Sequence, residues 1–287
     1  DRARTAGVVA ALVTGDQRAI DRADWDVFRA TGVAHLMSIS GLHITLFAWI
    51  AMAAVGWLWR RSQRLCLRWP AQHAALLGGV LLAAGYALFS GWGVPAQRTV
   101  LMLATVALLR EGAAALDFPL SPEQAERLML YFAELRKWMR RINLVARETT
   151  TEQLLELHFL DSLTLAPLVA HHPNLHLLDI GSGAGFPGLV LAAVLPEARF
   201  TLIEPRQKRA VFLRHVARRL GLSYVQVVEE RVETLYAQHQ GAYSHITGRA
   251  VAEPAAFLAM TEPLTDGGTE VVHFKPTGPL DCSDGQV

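Results

Sequence analysis

The chain has 287 residues, 27 Lys plus Arg against 26 Asp plus Glu, and a net charge of +1. That length accommodates two domains. Its two cysteines, Cys66 and Cys282, lie far apart with no C-x-x-C, which excludes a disulfide framework and a zinc motif. The charge is unevenly divided. Residues 1–109 carry ten Arg, no Lys, five Asp and no Glu, whereas residues 110–287 carry 17 Lys plus Arg against 21 Asp plus Glu. Six of the seven Trp lie before residue 110. Two segments of different environment are expected, with a junction near residue 110.

The chain starts at Asp1, with no charged segment leading into a cleavable apolar core. No signal peptide is expected, and the N-terminus reads as a fragment. Residues 42–59 are free of formal charge, with His43 among them, and so are residues 74–92. Both runs are about long enough to cross a bilayer. Between them lies the loop Arg60-Arg61-Ser62-Gln63-Arg64, followed by Arg68, which the positive-inside rule places in the cytoplasm. The acidic stretch 16–26 then lies outside, and Trp57, Trp59, Trp69 and Trp92 stand near the span ends. The alternative is a pair of buried helices in a soluble protein. A third apolar run, 99–109, is too short to span and follows the breaker Gly93-Val94-Pro95-Ala96-Gln97-Arg98.

The motif Gly32-Val33-Ala34-His35-Leu36-Met37-Ser38-Ile39-Ser40-Gly41-Leu42-His43 resembles the hallmark of the ComEC competence family. Leu12-Val13-Thr14-Gly15-Asp16 and Val94-Pro95-Ala96-Gln97-Arg98 also fit. The resemblance covers roughly residues 1–109. It implies part of an inner-membrane core, contact with the membrane through residues 42–92, and single-stranded DNA as a partner if that part is active. His35, Ser40 and His43 are candidates for a polar pathway. The plainer reading, a helix N-cap with head-group histidines, is favoured over it. Without a carboxylate or cysteine partner they do not make a metal site.

From Arg110 the pattern changes to a soluble α/β domain. Ser121-Pro122-Glu123-Gln124 is a helix start, with an N-cap, Pro at the first helical position and an acidic first turn. Leu128, Tyr131, Phe132, Leu135 and Trp138 continue it as a core stripe. A second helix is expected over 152–169. Strands are expected at 175–180, 199–204, 224–229, 243–247 and 270–274, alternating with helices at 187–195, 206–220 and 253–262. This alternation predicts a doubly wound, Rossmann-like parallel sheet with its ligand at the carboxyl ends of the strands.

The segment Leu177-Leu178-Asp179-Ile180-Gly181-Ser182-Gly183-Ala184-Gly185-Phe186-Pro187-Gly188 carries the chemistry. An apolar strand ends in an acid, then passes through glycines into a helix start that offers free N–H groups. Asp179 suggests a cationic ligand, and S-adenosylmethionine, with its sulfonium and ammonium, fits. Gly183 to Gly188 also satisfies G-x-G-x-x-G, so a dinucleotide is the competing reading. Glu204, ending the next strand, suits ribose hydroxyls of either ligand.

This half resembles the RsmG (GidB) family, which methylates a guanine N7 of bacterial 16S ribosomal RNA using S-adenosylmethionine. The resemblance runs from about 110 to 275. Besides the glycine turn it rests on Lys137-Trp138, Asn143-Leu144, His158-Phe159-Leu160-Asp161-Ser162, Lys208-Arg209, Phe212-Leu213, Arg231-Val232-Glu233 and Arg249-Ala250. It implies that Asp179, Gly181, Gly183 and Phe186 border the cofactor. Glu204 would hold the ribose, Val232 and Glu233 would contact the adenine, and Arg249 would face cofactor or RNA. His158 and Asp161 would tie helices to the sheet. Arg206, Lys208, Arg209, Arg214, Arg218 and Arg219 form a helix face that could touch phosphates. Guanine N7 needs no deprotonation, so no catalytic base and no metal are assigned. The small ribosomal subunit is the expected partner, in the cytoplasm, with an inner-membrane location if the N-terminal segment inserts. Two departures stand out: Gly248 occupies a position the family usually gives to Ser, and Pro276 follows Lys275 where the family continues with Gly and further strands. The expected whole is a truncated ComEC-like segment joined to an RsmG-like domain that lacks its end. Such a chain could also bind cofactor without catalysing transfer.

Overall fold

The computed structural model describes residues 5–9, 20–31, 41–90, 92–146, 148–236 and 242–274, and it divides into two units, Asp1–Ala107 and Leu108–Val287. His35, Ser40 and most of their motif lie outside the described residues, as do Lys275, Pro276 and Cys282.

The first unit is helical: α1 (Arg22–Ala30), α2 (Gly41–Arg60), α3 (Gln63–Arg68), α4 (Ala71–Phe89) and the start of α5 (Val94–Ala115). α2 and α4 meet along a seam of small residues, with Ala48, Ala83 and Ala87 buried. The seam is close: a Cβ on Gly79 would sit 2.1 Å from Met52 Cγ, and one on Gly78 2.9 Å from a Val55 methyl. Small residues let two helices approach closely. The outer faces are apolar as well, with Trp49, Leu81 and Phe89 exposed. Among the described residues one helix, Ala71–Phe89, is long and apolar enough to cross a membrane by length and composition.

Two local expectations are corrected here. The Arg-rich connection is not simply a loop, since Gln63–Arg68 form α3. The apolar run 99–109 is not a half-length element either, because it lies within α5, a helix of 22 residues. Pro95 lies in the first turn of α5, where its missing N–H has no intrahelical partner to lose. Arg110 and Glu111 are good helix formers, so the helix outlasts the apolar run.

The second unit opens with α6 (Pro122–Met139). Ser121 caps it through a reciprocal pair, accepting from Gln124 N–H while Gln124 Oε1 accepts from Ser121 N–H. The helix expected over 152–169 is broken instead. Thr151–Leu154 is α-helical, Leu155–Leu160 is a π-helix and Asp161–Leu163 returns to α; together 151–163 is called α7. After a turn, α8 (Ala166–Val169) restarts with Pro167 in its first turn. Pro167 cannot donate to Leu163 and its ring crowds that carbonyl, which ends the longer helix.

Five parallel strands follow: β1 (His176–Ile180), β2 (Arg199–Ile203), β3 (Val225–Val228), β4 (His245–Arg249) and β5 (Glu270–Phe274). Between them run α9 (Gly188–Val194), α10 (Gln207–Arg219) and α11 (Pro254–Thr261), with short 3-10 turns at Val232–Leu235 and Glu262–Leu264. The sheet order is β3-β2-β1-β4-β5. The strand order therefore reverses at β1, which pairs with β2 on one side and β4 on the other, so Asp179 lies level with Leu202 and Thr247. A crevice at the carboxyl ends of β1 and β4 follows from that reversal.

Candidate functional site

The crevice is built first on the turn after β1. Gly181 and Gly183 have φ of +67° and +60°, a region L side chains rarely adopt. Beside Gly183 there is open space: an added Cβ would meet only Gly181 O at 3.7 Å and Arg209 Nη1 at 3.9 Å. Gly188 is required for a different reason. A Cβ there would lie 2.5 Å from Asp179 Oδ2 and 2.4 Å from a Leu202 methyl, so the start of α9 can press against β1 and β2 only without a side chain.

Asp179 is fully buried beneath this turn. Its Oδ2 accepts from Gly188 N–H at 3.1 Å and its backbone carbonyl accepts from Ser182 Oγ at 3.0 Å. Its Oδ1 is buried with no hydrogen-bond partner among the described residues. Burial pushes the carboxyl up to about 7, and nearby Glu204 adds to the shift, against Ser182, Gly188 and Arg249. Glu204 follows β2 and is only 3% exposed. Its two oxygens accept from the backbone N–H groups of Gly183 and Arg206, each at 2.9 Å.

This arrangement corrects one expectation. The helix start does not offer free N–H groups, because Gly188 N–H is held by Asp179 and Leu189 N–H by Gly185 O. It also separates the two ligand readings. A pyrophosphate needs backbone N–H groups around the glycine turn, yet those of Gly183 and Gly188 are already engaged by carboxylates. Two buried acids at the ends of adjacent strands, one with an unmet oxygen, favour a cation instead. The residues present fit S-adenosylmethionine.

The remaining candidates are placed as follows. Phe186 is buried in an aromatic cluster, with ring centroids 5.8 Å from Tyr131, 5.4 Å from Phe159 and 5.0 Å from His158. Val232 is buried in the 3-10 turn after β3, within the core shared by Ile180 and Ile203. Glu233 beside it is exposed. Arg249, at the end of β4, turns to α7: its Nη2 lies 3.1 Å from Asp161 Oδ2 and donates to Leu157 O, and the Nη1 is buried without a partner among the described residues. Asp161 thus does tie α7 to the sheet, through Arg249. The ring of His158 is held down to about 4 by burial and by the Arg249 charge.

Tyr131 was legible only as a core residue. Its hydroxyl donates to Ala184 O at 2.5 Å, bracing the glycine turn from 53 residues away. Burial, with the Asp179 charge, raises its phenol well above the ordinary value. Gly248 has a steric reason: a Cβ there would fall 2.5 Å from the Phe257 ring, which fills the space a Ser would use. The Lys137-Trp138 motif fastens α6 to α10. Trp138 packs on Phe212 and His215, and buried Glu134 accepts from His215 Nε2 at 2.8 Å. Burial opposes the charge on Glu134, but His215, Lys137 and Arg219 outweigh it and lower its pKa.

A parallel sheet ordered 3-2-1-4-5, with a glycine turn after its first strand and a buried acid after its second, defines a doubly wound nucleoside-binding α/β domain. The family model for rRNA small subunit methyltransferase G (GidB) matches residues 124–281, and the chain belongs to that family. The Ribosomal RNA small subunit methyltransferase G of Desulfotalea psychrophila is 45% identical over 157 residues, covering 54% of this chain and 70% of that protein. The protein of the same name from Dichelobacter nodosus is 42% identical over 173 residues, 60% of this chain and 80% of its own length. A second family model, Competence protein, matches residues 12–117. Among solved structures, a SAM dependent methyltransferase from Aquifex aeolicus covers 47% of this chain and 67% of its own, with a TM-score of 0.35 and 18% identity.

Proposed function

We propose that the second unit is an S-adenosylmethionine-dependent methyltransferase acting on a guanine N7 of 16S ribosomal RNA in the small subunit. The observation that carries this reading is the pair of buried carboxylates, Asp179 and Glu204, under an open glycine turn in a chain of the rRNA small subunit methyltransferase G family. In it Asp179 supplies the negative charge that balances a cation, and Gly181 and Gly183 let the ligand lie against the backbone. Glu204 holds the ribose hydroxyls, since a carboxylate engaged by two N–H groups retains acceptor capacity. Val232 and Glu233 flank the adenine, Phe186 closes the methionine side and Arg249 shapes the wall toward α7. When bound, the cofactor supplies an electrophilic methyl group.

The guanine N7 lone pair is free of Watson–Crick pairing, so no proton leaves before attack. The protein's work is to position the base and exclude water. Calorimetric titration of S-adenosylmethionine into the chain, followed by transfer of labelled methyl groups to 30S subunits, tests this. Binding abolished in Asp179→Ala together with N7 methylation by the wild type is the expected result. A folded chain that binds no S-adenosylmethionine refutes the reading.

A second reading concerns the first unit and rests on its exposed apolar outer faces, Trp49, Leu81 and Phe89 among them. α2 and α4 lie in the inner membrane, with the Arg60 to Arg68 connection on the cytoplasmic side. The competence-like resemblance suggests single-stranded DNA as a partner for this unit. Recovery of the chain in the soluble fraction after lysis without detergent refutes the membrane location.

A further inference from the structure

We propose that the recess between the end of α6 and the start of α7 is a docking site for the sugar–phosphate backbone of the substrate RNA. The inference rests on the rRNA methyltransferase reading and adds to it a place where the strand is gripped. The recess has a volume of about 520 Å³ and is lined by Arg136, Arg140, Arg141, Asn143, Thr149 and Thr151 together with apolar side chains. Among the described residues no carboxylate lines it. Arg136 Nη1 donates to Thr151 Oγ1 at 3.2 Å, which joins the two walls. Arg140 and Arg141 are exposed and form no ion pair among the described residues.

The charge here runs against the trend of its surroundings. Residues 110–287 carry more acids than bases, yet Arg136, in the last turn of α6, and Arg140, its C-cap residue, stand four apart, where like charges repel. The carboxyl end of α6 tolerates such cations because its exposed carbonyls carry partial negative charge. Guanidinium, amide and hydroxyl donors in one recess, with no acid to neutralise them, match phosphodiester oxygens.

Three cations of the α10 face are already engaged, two of them by acids. Arg214 is paired with Glu229 at 2.7 Å, Arg219 lies 3.8 Å from Glu134, and Arg209 donates to Asn143 O. That last hydrogen bond fixes the location of the recess. Asn143 lines it, and the same Arg209 reaches within 3.9 Å of the position a Gly183 Cβ would take. Arg209 therefore reaches from the glycine turn to a residue that lines the recess.

The test measures the affinity of the full chain for a 16S rRNA transcript as a function of salt. Arg140→Ala with Arg141→Ala is expected to weaken binding about tenfold and to reduce the salt slope by roughly 2, one unit for each phosphate no longer neutralised. S-adenosylmethionine binding stays unchanged. The pair Arg140→Lys with Arg141→Lys keeps the slope. Unchanged affinity and slope in the Ala pair, or an equal loss in the Lys pair, overturns the proposal. The underlying reading fails separately: a wild-type chain that binds the transcript with this salt dependence but transfers no methyl group refutes the methyltransferase and leaves the recess standing.

Discussion

Replacing Asp179 by Asn isolates the charge that the cofactor reading requires. The amide keeps an oxygen to accept from Gly188 N–H, so the turn is held as before, but it cannot ionise. In the wild type, burial raises the carboxyl from 3.8 to about 7. Each pH unit corresponds to about 1.4 kcal/mol, so ionised Asp179 costs the empty protein about 4 kcal/mol above pH 7. Because the folded-state value is raised, this cost is absent below about pH 4, grows between 4 and 7, and is complete above 7. Urea unfolding of the full chain at several pH values measures it. Asp179→Asn is expected to gain stability relative to wild type as pH rises, reaching up to about 4 kcal/mol at pH 8. Cofactor affinity should move the other way. Wild type binds S-adenosylmethionine more tightly as pH rises toward 7, approaching tenfold per unit, whereas the variant binds weakly with no such dependence. A stability difference that is the same at pH 5 and pH 8 refutes the reasoning, since it would mean that Asp179 is not a desolvated acid.

Three further substitutions probe the frame around that charge. Gly188→Ala forces a methyl into the space held by Asp179 Oδ2 and Leu202, and should cost about 1–3 kcal/mol with loss of cofactor binding, read by thermal unfolding and calorimetry. Arg249→Ala leaves Asp161 buried beside α7 without its cation. A loss of roughly 3 kcal/mol is expected, and the His158 pKa should climb from about 4 toward its ordinary value, visible in the imidazole resonances on titration. Tyr131→Phe removes the donor to Ala184 O while keeping the ring, so stability drops by about 1 kcal/mol and cofactor affinity falls with it. An unaltered affinity would separate the brace from the site.

Much of this protein was legible in the order of its residues. Alternating apolar runs and amphipathic segments located all five strands and the helices between them within about two residues, because each buries a face with its own period. Asp179, Gly181, Gly183 and Glu204 stood out as candidates because a strand end followed by glycines marks a tight turn. Besides α3, which formed where a loop was expected, two elements departed from the pattern. The helix over 152–169 was interrupted by Pro167 and by a π turn, and α5 continued past the charged pair that ended its apolar run. In both, backbone geometry overrode the hydrophobic pattern. What only the tertiary structure decided was how the pieces are spent. Folding turned the N–H groups of Gly183 and Gly188 inward onto carboxylates, which favours a cation over a pyrophosphate. It sent Arg249 to Asp161, placed the Tyr131 hydroxyl under Ala184 and paired Arg214 and Arg219 of α10 with acids, while Arg140 and Arg141 form no ion pair among the described residues. Partners such as Tyr131 and Ala184, 53 residues apart, leave no local signal. Sequence spacing encodes contacts along one element, whereas the neutralisation of a charge depends on which distant residue the packing brings beside it.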